Sequence, residues 1–370
     1  MIKVIYVLTD KNIGGAGRWL LSQLKGTDLT RYEPLVLLPE GSLLSKAVKD
    51  CGFAVKELPG MLDSSWDKPR LGAMTDFFRT QKPHVVHVGA SLTARIAARR
   101  ANVPVLVMTK HCAAVRGSIV SRMAHAVMDR LLTDKIIAVS AAVGRQLVAA
   151  GTPKERVAVI ENGVTPVEVF APDEQEAFRE SLGFDKKYRW VGIAARLEHV
   201  KGVDLFLDAA RHLLAKRDDV RFAVFGVGSQ EKALRAQVAD LGDKVRFLGF
   251  CDKIEQAFAL LDVSVVSSRS EAICLSAAEA MAMGTPVAAF DVDGVGEVVR
   301  DGETGILAPA GDTAALAECI ARVLDDGALR EKLSERGREV MRTEFSAQTM
   351  ADKTLALYEE LLKKKGVDVR

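Results

Sequence analysis

Short apolar runs alternate with longer amphipathic stretches along the whole chain. In the first half the apolar runs are typical of buried strands and cover residues 2–8, 34–38, 84–88, 103–108, 135–139 and 156–160. Between them apolar positions recur at helical spacing near residues 16–25, 42–50, 70–81, 91–101, 117–131 and 141–150. The second half repeats the alternation, with strand-like runs at 190–195, 220–225, 245–248, 263–266 and 286–290. This alternation predicts parallel sheets covered by helices on both faces.

The two series predict an α/β protein made of two Rossmann-like, doubly wound domains, which 370 residues readily accommodate. Pro166 and Pro172 lie in the segment between the series and mark the boundary. We therefore expect one domain over residues 1–166 and a second over residues 167–348. Residues 349–365 have amphipathic helical periodicity, and we expect the closing segment 349–370 to pack back towards the first domain.

Composition narrows the class of protein. The chain has 51 Lys and Arg against 49 Asp and Glu, and 48% hydrophobic residues, which excludes a disordered or collagen-like chain. No apolar stretch reaches 18 residues, and the opening MIKVIYVLTD lacks the features of a secretory signal, so we expect a cytoplasmic protein. Five scattered cysteines without a C-x-x-C pair favour reduced thiols over disulfides or a zinc site.

The balanced charge divides unevenly along the chain. Residues 1–166 hold 23 Lys and Arg against 13 Asp and Glu, and the remaining residues hold 28 against 36. No acid occurs over residues 77–128, a window that contains eight basic residues. The window is either a solvated face or a face that meets something anionic, such as a phosphorylated acceptor or an anionic membrane surface. Nucleic acid is not expected, because aromatic residues do not accompany the basic ones.

Glycines and cations follow several predicted strands, where open parallel sheets bind ligands. Gly14, Gly15 and Gly17 follow the first strand without forming a G-x-G-x-x-G motif, so a tight turn and an anion contact both remain open. Arg196 and Lys201 follow the first strand of the second half. Together they suit a diphosphate, with solvated loop charges as the alternative. A second glycine loop, beginning at Gly226, follows the next strand.

The most specific pattern is a pair of glutamates. Glu271 follows the run 263–266, and Glu279 lies in the next predicted helix, whose other residues are mostly Ala, Met and Leu. A carboxylate in apolar surroundings requires hydrogen-bond donors, and the paired hydroxyls of a ribose would supply them. The amides that open this helix are suited to phosphate oxygens; they belong to Ile273, Cys274 and Leu275.

Two carboxylates separated by seven residues and followed by A-M-x-x-G-x-P-V resemble the signature of retaining glycosyltransferases of family 4. These enzymes have the GT-B fold, in which two Rossmann-like domains face each other across a cleft. Other segments agree in order along the chain: Gly14-Gly15-Ala16, Thr109-Lys110-His111, Ala138-Val139-Ser140, residues 159–164, Arg196 to Gly202, and residues 294–302. The chain departs from the family at Ala272-Ile273-Cys274, and at Asp293-Gly294, where paired glycines are frequent.

The resemblance implies roles for the matched residues. Arg196 and Lys201 would neutralise the donor diphosphate. The donor would also contact Gly14, Gly15, Gly17 and Gly226, as well as Ile273, Cys274 and Leu275. Glu279 would bind the ribose, and Glu271 would contact the transferred sugar. His111 would reach the sugar near the reacting centre.

The implied reaction moves a sugar from a nucleotide diphosphate sugar to a hydroxyl acceptor with retention, in envelope glycolipid or polysaccharide synthesis. His87 and Arg116 are expected on the acceptor side, which can include a lipid-linked substrate and peripheral contact with an anionic inner membrane face. With only Glu271 expected near the sugar, front-face attack is favoured over double displacement. We expect no metal ion and no cofactor besides the donor, because fixed cations and amides can stabilise the leaving diphosphate.

Three other functions remain as alternatives. A nucleotide-sugar 2-epimerase shares the fold, but the glutamate pair and its helix favour transfer. An NAD-dependent oxidoreductase would require G-x-G-x-x-G after a strand and an acid about 20 residues further on, which neither domain provides. A purely binding role leaves Glu279 and the basic pair without a purpose. The sequence leaves the donor base, the sugar and the acceptor open.

Overall fold

The computed structural model describes residues 1–111, 119–165 and 167–367. The strands within these residues are β1 Ile2–Val7, β2 Tyr32–Pro39, β3 Ala54–Leu58, β4 Val85–Val88, β5 Val105–Lys110, β6 Lys135–Ala138, β7 Val157–Val159, β8 Arg189–Ala194, β9 Val220–Phe225, β10 Val245–Gly249, β11 Val263–Val266, β12 Val287–Phe290 and β13 Gly305–Ala308. Every predicted run forms a strand. The sequence did not predict β3, which is a partly exposed edge strand, or β13, which has four residues and begins at a glycine.

The helices that connect the strands are α1 Gly15–Lys25, α2 Leu43–Asp50, α3 Leu71–Gln81, α4 Leu92–Arg100, α5 Ile119–Leu132, α6 Ala141–Ala149, α7 Pro172–Leu182, α8 Val203–Leu214, α9 Glu231–Gln237, α10 Ile254–Phe258, α11 Leu275–Ala282, α12 Val295–Val298, α13 Thr313–Asp325, α14 Gly327–Thr343 and α15 Ala347–Lys364. Short 3-10 turns accompany them, one of them at His199–Lys201. Among the described helices, none combines the length and the apolar character needed to cross a membrane.

The chain divides into two compact units, Met1–Thr165 with Ser346–Arg370, and Pro166–Phe345. The first unit contains a seven-stranded sheet of order β3-β2-β1-β4-β5-β6-β7, and the second a six-stranded sheet of order β10-β9-β8-β11-β12-β13. All the strand pairs are parallel. The predicted fold class of two doubly wound parallel sheets is therefore confirmed. The chain returns to the first unit at Ser346, three residues before the predicted 349.

The order of strands makes β1 and β8 the centres of their sheets. In each sheet the chain first builds outward on one side and then crosses to the other side of the starting strand. Val4 of β1, for example, pairs with Pro34 of β2 on one side and Val85 of β4 on the other. Such a reversal leaves a crevice at the carboxyl ends of the two central strands, where the connecting loops diverge. The crevices lie between β1 and β4 and between β8 and β11.

Serine and aspartate side chains cap many of the helices. The capping oxygen accepts a hydrogen bond from an amide two or three residues further on at Ser42, Ser91, Ser140, Asp312, Asp326 and Ser346. By contrast, α1, α8 and α11 begin after Gly14, Gly202 and Cys274 and receive no side-chain cap. Each of these three helices follows one of the central strands β1, β8 and β11. Their first amides are therefore not satisfied by a capping side chain.

Helix α15 completes the core of the first unit. Its apolar face joins the buried cluster under β1, β2 and β5 through Leu355, Tyr358 and Leu362, among others. The ring of His87, fully buried on β4, connects this helix to the sheet. Its Nδ1 lies 2.5 Å from the hydroxyl of Tyr358, and its Nε2 lies 2.6 Å from the hydroxyl of Thr109. His87 therefore forms a polar link inside an otherwise apolar core.

Burial makes this first unit sensitive to acid. Burial, with a smaller contribution from the charge of His111, lowers the pKa of His87 from 6.5 to about 3. Burial also lowers the pKa of His111, to about 4. Below pH 6.5 the unfolded chain takes up protons that the folded chain does not, so folding stability falls as the pH falls. At pH 5 each of these two histidines should lower the free energy of unfolding by about 2 kcal/mol relative to neutral pH.

We predict that the free energy of unfolding decreases markedly between pH 7 and pH 5, and that His87→Gln reduces this decrease by about half. Chemical denaturation of the full chain at both pH values, with wild type and variant compared, measures the difference. The comparison uses the change with pH, so a loss of stability common to both pH values does not affect it. An unchanged pH dependence in the variant would show that His87 does not contribute.

Candidate active site

The crevice between β8 and β11 brings together two of the predicted site residues. Lys201 lies in the loop after β8, and Glu271 lies in the loop after β11. Lys201 Nζ donates a hydrogen bond to Glu271 Oε1 at 2.5 Å, and the side chains are 22% and 11% exposed. The hydroxyl of Ser268 donates to the same carboxylate oxygen at 2.8 Å. The cation and the carboxylate are thus held side by side at the ligand-binding edge of the sheet.

The backbone next to Lys201 packs closely against the neighbouring loop and is hydrogen-bonded to it. The 3-10 turn His199–Lys201 ends at Gly202, which has a left-handed φ of 60°. A Cβ at Gly202 would lie 2.0 Å from the carbonyl oxygen of Ser267, so only glycine fits this contact. The hydroxyl of Ser267 in turn donates to the carbonyl oxygen of Gly202 at 2.7 Å. These contacts set the distance between Lys201 and the loop that carries Glu271.

Arg196 lies in the same loop as Lys201 but in a different environment. Its side chain is exposed, and among the described residues it takes part in no ion pair. Its charge contributes to the lowered pKa of Glu198, for which hydrogen bonds from the side chain and backbone of Ser229 are the larger causes. The structure thus leaves the guanidinium at the surface of the crevice loop, where it can reach an anion.

Helix α11 presents its uncapped start beside this pair. Ile273 and Cys274 are buried, and Leu275 is partly exposed at the first turn. Burial raises the pKa of the Cys274 thiol to about 12, which keeps it protonated and unreactive. Glu279, one turn into the helix, is half-buried and already has an interaction partner within the protein. Its surroundings are therefore less apolar than the sequence suggested.

The glycines predicted to bind the donor differ in their surroundings. A Cβ would meet nothing within 4 Å at Gly14 or Gly15, and only ordinary contacts at Gly17. At Gly226, which has a φ of 131°, a Cβ would lie 1.9 Å from the carbonyl oxygen of Ala195. Gly226 is thus required by the close packing of two loops, whereas Gly14 and Gly15 leave the start of α1 open.

The two predicted histidines of the first unit belong to neighbouring strands, His87 on β4 and His111 directly after β5. His111 directly follows β5, with its ring 5.1 Å from that of Trp19. Both ring nitrogens of His111 are buried and without a hydrogen-bond partner in the described part of the chain. His87 was predicted on the acceptor side, but it lies in the core with both nitrogens bonded, so its ring faces the protein interior. Arg116 lies outside the described residues.

Acids that flank the acid-free basic window form ion pairs with several of its cations. Among the cations that the structure describes there, four form ion pairs: Arg79 with Asp76, Arg95 with Asp129, Arg99 with Asp134, and Lys110 with Asp129. The pair between Arg95 and Asp129 is buried, with side chains 4% and 3% exposed and a distance of 2.6 Å. These contacts favour the interpretation that much of the window serves the packing of the unit.

Sequence reasoning missed Ser268 and Asp293. The chain contains one D-x-D spacing, Asp291-Val292-Asp293, whose paired carboxylates are a pattern that can hold a metal ion. The expectation of a metal-free reaction therefore depends on the fixed cations and amides of the site, not on the absence of this pattern. In the structure Asp293 accepts hydrogen bonds from Ser270 and from the amide of Glu271. Among the described residues no group of three or more His, Cys, Asp or Glu side chains converges on a common point.

The loop geometry predicts the behaviour of a diphosphate probe. Pyrophosphate should bind wild type, and Lys201→Ala should weaken that binding by about tenfold or more, because a charge-assisted hydrogen bond contributes about 1.5–3 kcal/mol. Glu271→Gln should strengthen it, since the variant removes a competing negative charge from Lys201. Isothermal titration calorimetry measures both, with Lys216→Ala, an exposed lysine of the same unit, as control. Equal affinities in wild type and Lys201→Ala would contradict the assignment.

Two family models match the chain. The model described as glycosyltransferase family 4 matches residues 13–168, and the model described as glycosyl transferases group 1 matches residues 174–340. Together they account for most of both units.

Curated relatives are sugar transferases. A 2-deoxystreptamine glucosyltransferase of Streptomyces kanamyceticus is 32% identical over 298 residues, which cover 74% of this chain and 75% of the relative. The lipopolysaccharide core biosynthesis mannosyltransferase LpsB of Rhizobium meliloti is 31% identical and covers 66% and 71%. A phosphatidyl-myo-inositol mannosyltransferase of Mycobacterium leprae is 37% identical over 162 residues, so that match spans only 43% of each chain.

Solved structures show the same fold. The crystal structure of Anabaena Alr3699/HepE in complex with UDP and glucose superposes with a TM-score of 0.86 at 21% identity, covering 97% of this chain and 100% of the other. The matches favour a transferase over the epimerase and the oxidoreductase that the sequence left as alternatives. From its two matched family models and its relatives above 30% identity, the chain belongs to the glycosyl transferases group 1, with a glycosyltransferase family 4 region at its amino-terminal end.

Proposed function

We propose that this glycosyltransferase moves a hexose from a nucleotide diphosphate sugar to a hydroxyl acceptor, with retention at the anomeric carbon and without a metal ion. The pairing of Lys201 with Glu271 in the central crevice of the second sheet, 2.5 Å apart, carries the proposal. A cation and a carboxylate side by side match the two ends of such a donor, its phosphates and its sugar hydroxyls. Complexes of the structural neighbour HepE with UDP and with UDP-glucose add support for a nucleotide-sugar donor.

Departure of the nucleoside diphosphate is the step that the basic loop would assist. When the bond from the anomeric carbon to the phosphate oxygen breaks, its electron pair stays on the diphosphate. Lys201, Arg196 and the uncapped start of α11 would stabilise this growing negative charge. These groups are in place before the reaction, so little reorganisation accompanies charge development.

The environment of Glu271 supports front-face attack. One of its carboxylate oxygens accepts a hydrogen bond from Ser268, a contact that does not depend on Lys201 and that reduces the strength of the carboxylate as a nucleophile. Double displacement would require a free carboxylate on the face of the sugar opposite the leaving group. We propose instead that the acceptor hydroxyl attacks from the side of the departing diphosphate, whose oxygen takes the hydroxyl proton. Glu271 then binds sugar hydroxyls.

The names of the relatives support a class of acceptor. Their names give a phosphatidyl-myo-inositol mannosyltransferase, a mannosyltransferase of lipopolysaccharide core biosynthesis and a 2-deoxystreptamine glucosyltransferase. The first two names refer to glycolipid or lipopolysaccharide synthesis. We propose a hydroxyl of a glycolipid or polysaccharide precursor as the acceptor of this chain.

A panel of donors tests the first half of the proposal. Among UDP-, GDP- and ADP-sugars, one group should raise the melting temperature of the protein, since a ligand at 100 times its dissociation constant stabilises by about 2.7 kcal/mol. Lys201→Ala should remove about half of the shift or more, and Lys216→Ala should leave it unchanged. If no nucleotide sugar produces a shift, the donor class proposed here is wrong.

The stereochemistry and metal requirement are tested on the donor so identified. With an α-linked donor and a simple hydroxyl acceptor, nuclear magnetic resonance should show an α-linked product. Turnover should be unchanged after treatment with a chelator and after addition of Mn²⁺ or Mg²⁺. A β-linked product would contradict retention, and activity that returns only with added metal would contradict metal independence.

A further inference from the structure

Glu271 is held by contacts within its own loop and by contacts from the loops after β8 and β12. The carboxylate of Asp293, in the loop after β12, accepts hydrogen bonds through Oδ2 from the amide of Glu271 at 3.2 Å and from the hydroxyl of Ser270 at 2.5 Å. From the same loop the amide of Gly294 donates to the carbonyl oxygen of Glu271 at 3.0 Å. The amide and the carbonyl group of Glu271 are therefore both hydrogen-bonded to the loop after β12.

The backbone of Asp293 is in a conformation that side chains disfavour. Its φ is 41°, in the left-handed region that favours glycine. Within the described residues only Lys82 and Asn102 share this property among non-glycine residues. In this conformation Asp293 presents its carboxylate to Ser270 and Glu271 and accepts two hydrogen bonds that a glycine at this position could not accept.

The side chain of Glu271 has a different and less permanent support. Its carboxylate is held by Lys201 at 2.5 Å and by Ser268 at 2.8 Å. A diphosphate bound in the crevice attracts Lys201 and competes with Glu271 for its ammonium group. Once that happens, the hydrogen bond from Ser268 remains on the side chain, and the position of Glu271 depends more strongly on its main chain, which the loop after β12 holds.

We propose that Asp293 is a positioning residue that fixes Glu271 against the transferred sugar while Lys201 is engaged by the donor diphosphate. This inference rests on the proposed function. Asp293 acts through the Ser270–Glu271 peptide and does not itself touch the diphosphate. Its loss therefore affects turnover of the sugar and leaves the affinity for the nucleoside diphosphate unchanged.

Three substitutions separate the hydrogen bonds from the backbone strain. Asp293→Gly relieves the left-handed conformation and removes the carboxylate, so the melting temperature should be unchanged or higher while kcat falls. We expect a fall of about ten- to a hundredfold, since a displacement of about 1 Å at a reacting centre costs about a hundredfold. Asp293→Ala should lower both quantities. Asp293→Asn keeps an acceptor oxygen and tolerates a positive φ, so it should retain most of the activity.

The readouts are kcat and KM for sugar transfer, the dissociation constant of the free nucleoside diphosphate, and the melting temperature. Lys82→Gly is the matched control, because it replaces an exposed left-handed residue with φ 47° at the end of α3 in the other unit. It should leave kcat unchanged. Full activity of Asp293→Gly would overturn the proposal, since it would show that only the backbone conformation matters.

Two further outcomes are distinguishable. If wild type transfers no sugar from any nucleotide donor, the proposed function fails; if wild type is active and Asp293→Ala matches it, only the role of Asp293 fails. If Asp293→Asn is as inactive as Asp293→Ala and wild type is inhibited by a chelator, the D-x-D spacing binds a metal and the positioning role is overturned. Retained activity in Asp293→Asn, together with loss in Asp293→Gly at unchanged nucleotide affinity, supports the proposal.

Discussion

The candidate site depends on one constraint, the reversal of strand order in the second sheet. Because β8 and β11 are neighbours at its centre, the loops that leave their carboxyl ends diverge around a crevice. Lys201 and Glu271 are 70 residues apart in sequence and meet there at 2.5 Å. The pair is only partly exposed, so its electrostatic attraction is screened less than that of a surface ion pair. Under the proposed function, a donor diphosphate in this crevice would compete for Lys201 and so link binding to the position of the Glu271 carboxylate.

The first unit has the same reversal of strand order, but one of its central strands contributes a polar side chain to the core. Its fourth strand carries His87 into the core, where the ring joins Tyr358 of the last helix to Thr109 of β5. The last helix therefore forms part of the first unit, although about 180 residues of the second unit precede it in the sequence. The adjoining His111 stays neutral at pH 7 because burial lowers its pKa to about 4. Near a sugar, such a ring donates or accepts a hydrogen bond without bringing a charge.

The charge pattern also has a structural explanation. The basic window of the first unit contains no acid of its own, yet Asp76 and Asp129 lie directly on either side of it, and Asp134 follows. Folding brings these acids onto Arg79, Arg95 and Arg99. Local sequence composition therefore overstated the positive charge that this face presents. In the second unit the opposite holds, because Arg196 stays exposed within an acidic half of the chain.

The sequence by itself determined the fold class, since the alternation of apolar runs and amphipathic stretches reflects which faces each element buries. It also placed Lys201 and Glu271 after strands, because loop residues at strand ends are visible in a linear pattern. Only the tertiary structure decided that these two side chains pair and that the rings of His87 and Tyr358 meet in the core. The tertiary structure also showed that Asp293 has a left-handed backbone conformation and accepts a hydrogen bond from the amide of Glu271. Such contacts join residues distant in sequence, and their geometry depends on strand order and loop conformation, which no local pattern encodes.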